Sequence, residues 1–262
     1  MARKEEGGTY LYAVVPKAAA PEKLGELSGV EEGKVYGIEG GELTAVVSDV
    51  PTREELRPER RLLAAHQRVL DQVIDSSPAV LPVAFGTVAE SGAGVRELLD
   101  RYQEDFSQQM KRVEGKIEMG VRLTYRASKP NLFEFLIASS PELRAERDRA
   151  AESGRELTRE EKIDLGQKVD AVLGSMRDEY AERLVQALGD FGIDSKRNPP
   201  RNESELVDLA VLVPKDKREE FEAAVESAAA LFPDTFVLEQ VGPFPPYDFV
   251  DMHLTAPMAG EA

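Results

Sequence analysis

The chain has 262 residues, enough for one large core or two ordinary domains, and it carries a formal net charge of −16. It has no cysteine and only two histidines, His66 and His253. These counts exclude disulfides, iron–sulfur clusters, thiolate metal sites and cysteine nucleophiles, and they leave little material for a histidine-based metal site or triad.

So acidic a surface disfavours phosphate backbones and anionic membranes as partners. No apolar run reaches the ~18 residues that a membrane-spanning helix needs. The opening "MARKEEGGTY" lacks the apolar core of a secretory signal, so the expected address is the cytoplasm.

"TYLYAVVP" (9–16) is apolar on both faces of an extended chain, which predicts an interior strand ended by Pro16. "KVYGIEGGELTAVVSDV" (34–50) predicts a hairpin, with Gly40-Gly41 supplying the positive φ values of its turn. Over 59–76 the period turns helical: Leu62, Leu63, His66, Val69, Leu70, Val73 and Ile74 form one stripe. "AVLPVAFGTV" (79–88) returns to strand character, Pro82 marking an edge or bulge. A second helix follows "SGAG", with Val95, Leu98, Leu99, Tyr102, Phe106 and Met110 at helical spacing.

"KIEMGVRLTY" (116–125) alternates as a strand with one apolar face. Residues 130–157 are highly charged and broken by Pro141, Ser153 and Gly154, the pattern of a surface excursion with short helices. "TREE" (158–161) is a capping box opening a helix that runs to about residue 190, roughly 45–50 Å long. Its stripe includes Ile163, Leu165, Val169, Val172, Met176, Tyr180, Leu184 and Leu188. A helix of that length must find a second packing partner or stand out in solvent.

A short strand near 192–198, a strand at 206–214, a helix carrying Phe221, Val225, Ala228, Leu231 and Phe232, and a last strand at 234–242 complete this half. Its order is βαββαβ, that of a ferredoxin-like fold. The expected class is α+β with two domains. The N-terminal one, 1–112, is a small mixed sheet with two helices. The C-terminal one, 113–243, is a modified ferredoxin-like fold with a long helix and a charged helical insertion at about 130–157. A tail, 244–262, packs back on the protein.

No catalytic constellation emerges. "SGAGVRELL" lacks the Lys-Ser/Thr of a phosphate loop and reads as a glycine-rich helix start. His66 lies on an apolar stripe with no nucleophile or carboxylate tied to it, so a core or interface histidine is the expectation. His253 with Asp248 and Asp251 is the one Asp/His grouping a metal could use. The paired carboxylates carry no sign of burial. The expectation is a non-enzyme without cofactor or metal.

What remains is apolar sequence outside the periodic elements: Leu81, Pro82 and Phe85 in 76–88, and Phe244, Pro245, Pro246, Tyr247 and Phe249 in "VGPFPPYDFV" (241–250). Proline lowers the entropy cost of an extended segment, and the rings offer apolar area. Such residues form either an internal clamp between domains or a docking surface for a partner. The clamp is favoured, because rings left in water invite aggregation.

"YLYAVV" (10–15), "ELTAVVSDVP" (42–51), "HQRVLDQVIDSSPAVLPVAFGTV" (66–88) with its Leu-Pro-x-x-Phe-Gly-Thr core, and "GPFPPYDFV" (242–250), in this order, resemble the gas vesicle protein L/F family. Phe244 departs from it, standing where a tryptophan is expected in many relatives, though an aromatic is kept. The charged span 140–157 resembles the family's variable region. The resemblance implies two α+β domains, the second a modified ferredoxin-like fold, and no enzymatic activity. It implies a gas vesicle accessory protein that binds the hydrophobic major shell protein or other accessory proteins during assembly. The alternatives are a permanent minor component of the vesicle and a small-ligand-binding regulatory module.

Overall fold

The computed structural model describes residues 7–19 and 24–251. They fall into two compact units. One gathers the described residues up to 118 together with 214–216 and 243–251; the other takes 119–213 and 217–242.

The first unit is built on a sheet of β1 (Gly8–Pro16), β2 (Val35–Gly40) and β3 (Leu43–Val50), completed after helix α1 (Arg60–Ser76) by two-residue strands β4 (Leu81–Pro82) and β5 (Val88–Ala89). The order is β2-β3-β1-β4, with β5 also on β1. β1 is therefore interior, and Tyr10, Tyr12, Ala13, Val14 and Val15 are wholly buried, as its two apolar faces require.

This sheet is antiparallel at each of its pairings, where the sequence predicts a mixed one. The crossover through α1 skips a strand. β3 and β4 run in the same direction, but β1 lies between them and opposes both. In the β2–β3 hairpin only Gly41 takes positive φ (54°). Gly40 is needed for another reason: a Cβ there would lie 2.8 Å from the Cβ of Leu99, so its lack of a side chain admits the neighbouring helix.

α1 buries Leu62, Ala65, His66, Val69, Leu70, Val73 and Ile74, while Leu63, expected on the stripe, is exposed. The second predicted helix is two, α2 (Gly92–Arg101) and α3 (Gln103–Val113), because the backbone leaves helical values at Tyr102. The Ser91 hydroxyl accepts from the Gly94 N–H at 3.3 Å, so this glycine-rich start is capped by its own side chain.

The second unit runs through β6 (Lys116–Tyr125), α4 (Leu132–Ser139), α5 (Pro141–Ser153), α6 (Arg159–Ala187), α7 (Asp190–Ile193), β7 (Ser195–Arg197), β8 (Glu205–Pro214), α8 (Arg218–Ala229) and β9 (Phe236–Phe244). Its sheet order, β7-β8-β6-β9, is the ferredoxin-like arrangement, with the first and third strands central. A ring cluster closes the helix layer over it. Phe236 of β9 lies 5.3 Å from both Tyr125 and Tyr180, edge to face in each case.

The charged insertion forms α4 and α5, each opened by a side-chain cap, Asn131 and Ser140. Pro141 occupies the first turn of α5, where its missing N–H costs nothing. Thr158 and Glu161 form the predicted capping box of α6: the Thr158 hydroxyl accepts from the Glu161 N–H, and the Glu161 carboxylate accepts from the Thr158 N–H. α6 spans 29 residues, about 43 Å. It buries Val169, Leu173, Tyr180, Ala181 and Leu184, but its first turns stand out and Ile163 is exposed. Lys168 ties this end to Glu146 of α5.

Residues 214–216 bring the chain back into the first unit. The Lys215 ammonium donates to the carbonyls of Ile74 (2.5 Å) and Ser77 (2.8 Å), capping the last turn of α1.

Candidate functional site

The closing segment belongs to the first unit, and Tyr247 joins it there to a hydrogen-bonded string. The Tyr10 hydroxyl lies 2.9 Å from Nδ1 of His66, and Nε2 of His66 lies 3.0 Å from the Tyr247 hydroxyl. The ends of the string fix its direction. The Gly86 N–H donates to the Tyr10 oxygen at 3.1 Å, and the Tyr247 hydroxyl donates to the Val83 carbonyl at 3.3 Å. Tyr10 therefore gives its proton to Nδ1, and Nε2–H gives to Tyr247. Every polar atom is satisfied with the imidazole neutral and its proton on Nε2.

Three elements place these groups. Tyr10 and Tyr12 point from one face of β1, two residues apart. His66 sits on the buried stripe of α1. Between β4 and β5 the chain turns at Gly86, whose φ of +93° a side chain would strain, and this turn delivers both the donor N–H and Phe85. Tyr12 stacks on the imidazole (5.5 Å, 26° between planes), while Phe85 and Tyr10 meet it edge-on. The Tyr12 hydroxyl accepts from the Val30 N–H and exchanges a bond with Ser48. A Cβ on Gly29 would stand 2.2 Å from that hydroxyl.

Burial among rings sets the electrostatics. Desolvation lowers the His66 pKa from its ordinary 6.5 to about 4, so the ring is neutral at pH 7. Burial raises Tyr10, Tyr12 and Tyr247, which keep their protons. Both imidazole nitrogens are occupied by tyrosine hydroxyls, leaving no lone pair for a substrate proton or a metal.

Of the eight residues singled out from the sequence, Leu81, Pro245, Pro246 and Phe249 are buried, and Pro82, Phe85 and Phe244 are half-buried. Tyr247 keeps 39% of its surface in solvent while its hydroxyl points inward. Leu81 and Pro82 pair with Val14 and Ala13. Phe249 lies under the Arg112 guanidinium, 5.7 Å from its ring centre. The Asp248 N–H donates to the buried Glu118 carboxylate at 2.8 Å, and the Gln109 amide reaches the Asp251 carbonyl at 3.5 Å. Phe244 ends β9 and takes no part in the string.

Sequence reading missed the partnership of Tyr10, His66 and Tyr247. The first two were visible as polar tips on buried stripes, but nothing local ties them to a residue 181 positions on from His66. Among the described residues no cluster of three or more potential ligands could hold a metal ion. His253, which with Asp248 and Asp251 formed the candidate Asp/His group, lies outside the described residues.

A family model described as gas vesicle synthesis protein GvpL/GvpF matches residues 8–251. The chain belongs to this family. It is 32% identical to gas vesicle protein F of a Streptomyces species, over 93% of this chain and 99% of that one. It is 28% identical to gas vesicle protein L1 of Halobacterium salinarum, over 94% and 92% of the two chains. The crystal structure of the gas vesicle protein GvpF from an Anabaena species superposes with a TM-score of 0.79 at 25% identity, over 95% of this chain and all of that one. Membership in the GvpL/GvpF family gives the chain an accessory role in gas vesicles. Among its described residues no helix is long and apolar enough to cross a membrane.

Proposed function

We propose that this protein is a non-enzymatic assembly factor that binds the hydrophobic major shell protein, other accessory proteins, or both, while gas vesicles form. The observation that carries the reading is the family match over nearly the whole chain. Two physical features support it. A net charge of −16 lets the protein hold an aggregation-prone apolar partner by a small surface and keep the complex dissolved. The one histidine on a buried stripe is spent on two tyrosine hydroxyls, which speaks for structure over acid–base work. Pairwise co-expression with each protein of the gas vesicle cluster tests the reading: the shell protein or an accessory protein should co-purify or gain solubility. If none does, the reading fails. Washing finished vesicles with urea and probing for this protein separates a transient factor, absent from them, from a permanent component.

In this reading the closing segment is an internal clamp, with Pro245, Pro246 and Phe249 buried and the Tyr247 hydroxyl held by His66 although its residue is partly exposed. Truncation after Gly242 should therefore lower stability. Unchanged stability with lost binding would instead make the segment a docking site.

A further inference from the structure

The two edges of the second sheet are unlike. β7 has three residues, Ser195-Lys196-Arg197, and such a short, basic strand guards an edge against pairing. β9 has nine. The Arg126 N–H donates to the Thr235 carbonyl at 2.9 Å, and a Cβ on Gly120 would meet the Val241 side chain at 2.6 Å, so β6 and β9 run antiparallel with Gly120 opposite Val241. In that register Val237, Glu239 and Val241 bond to β6, while Leu238 and Gln240 turn their peptide groups outward and Gly242, at a φ of +116°, its N–H. β9 ends the strand order, and among the described residues no turn or loop backbone group bonds these three. Glu239, the one charge on the strand, is held by Arg126 at 2.8 Å and does not block the edge.

The flanks of the edge differ as well. On the helix side Gln240 reaches Glu222 of α8 at 3.4 Å, which puts the stripe Glu219–Glu222–Glu226 alongside β9. Arg218 pairs with Glu222; Glu219 and Glu226 have no cation within ion-pair distance among the described residues. On the other side Val237 is exposed and Val241 half-buried.

We propose that the β9 edge accepts an added strand from a partner protein, an extended segment that alternates basic and apolar residues. Its main chain bonds Leu238, Gln240 and Gly242, its basic side chains lie along the α8 stripe, and its apolar ones lie against Val237 and Val241. A second copy of β9 fits badly, because it brings a second acidic stripe. The proposal rests on the reading that this protein acts by binding other gas vesicle proteins.

A labelled ten-residue peptide alternating Lys and Val, titrated into the full chain, tests it by anisotropy together with amide exchange. Binding should be saturable. It should weaken at least tenfold when the peptide is N-methylated at alternate residues, when Glu replaces its Lys, in Q240P, and in the doubly substituted E219K/E226K, which leaves the strand untouched. The amides of Leu238, Gln240 and Gly242 should exchange freely in the unbound protein and slow on binding. Protection already present in the unbound protein, equal binding of a scrambled or methylated peptide, or no binding overturns the proposal. Capture of the shell protein equally by Q240P removes the edge but leaves the assembly reading. Peptide binding without capture of any gas vesicle protein does the reverse.

Discussion

Acid should weaken this protein through His66 before it reaches the carboxylates. The folded ring, with a pKa of about 4, gains its proton later than the unfolded one at 6.5, so the stabilisation is whole above pH 6.5 and is lost as pH falls toward 4. The full loss is about 3 kcal/mol at 1.36 kcal/mol per pKa unit, and about 1.2 kcal/mol of it falls between pH 7 and pH 5.5. The geometry gives the same sign. A charged ring has N–H on both nitrogens, and Nδ1–H would face a Tyr10 oxygen that already accepts from Gly86, leaving the Tyr10 proton without an acceptor. Urea unfolding followed by tyrosine emission suits the chain, which has no tryptophan, and pH 5.5 stays above the isoelectric point of 4.7. The H66Q variant supplies the baseline, since His253 and every carboxylate are common to both proteins. The wild type should lose about 1 kcal/mol more than H66Q over this interval. Equal losses would mean that the imidazole is not held neutral, and the directed string would be wrong.

Other substitutions probe the same unit and the long helix. F249A removes a ring only 3% exposed and should cost roughly 3–5 kcal/mol, read from the urea midpoint; a loss below about 1 would mean that the segment grips little. G86A forces a side chain onto a φ of +93° with its methyl 3.0 Å from the Leu56 carbonyl oxygen, and should cost about 1–3 kcal/mol by the same measurement. T158A breaks half of the capping box, costing about 1 kcal/mol, and the Glu161 amide should exchange faster while those near Leu184 do not.

Much of the fold was legible because it rests on local period and punctuation. The buried β1, the helical stripe of α1, the Thr158 box and the βαββαβ order of the second half all follow from short stretches. The misreadings share a cause in long-range geometry. Pairing direction in the first sheet depends on which strand α1 skips, and the break at Tyr102 interrupts a hydrophobic spacing that continues across it. The 79–88 stretch, apolar enough for a strand, yields only two short pairings because Gly86 turns the chain between them. The string between His66 and Tyr247 was illegible for a related reason: hydrogen-bond partners far apart in sequence leave no periodic trace.

The composition of the first unit also bears on how the protein is made. Domains generally form in the order in which they leave the ribosome. Here the early residues cannot finish: the carbonyls of Ile74 and Ser77 wait for Lys215, and His66 waits for Tyr247. Through most of translation the first sheet and its helices lack these closing contacts. The first unit is therefore sealed only once residues 243–251 have left the ribosome, and until then His66 lacks its Tyr247 partner.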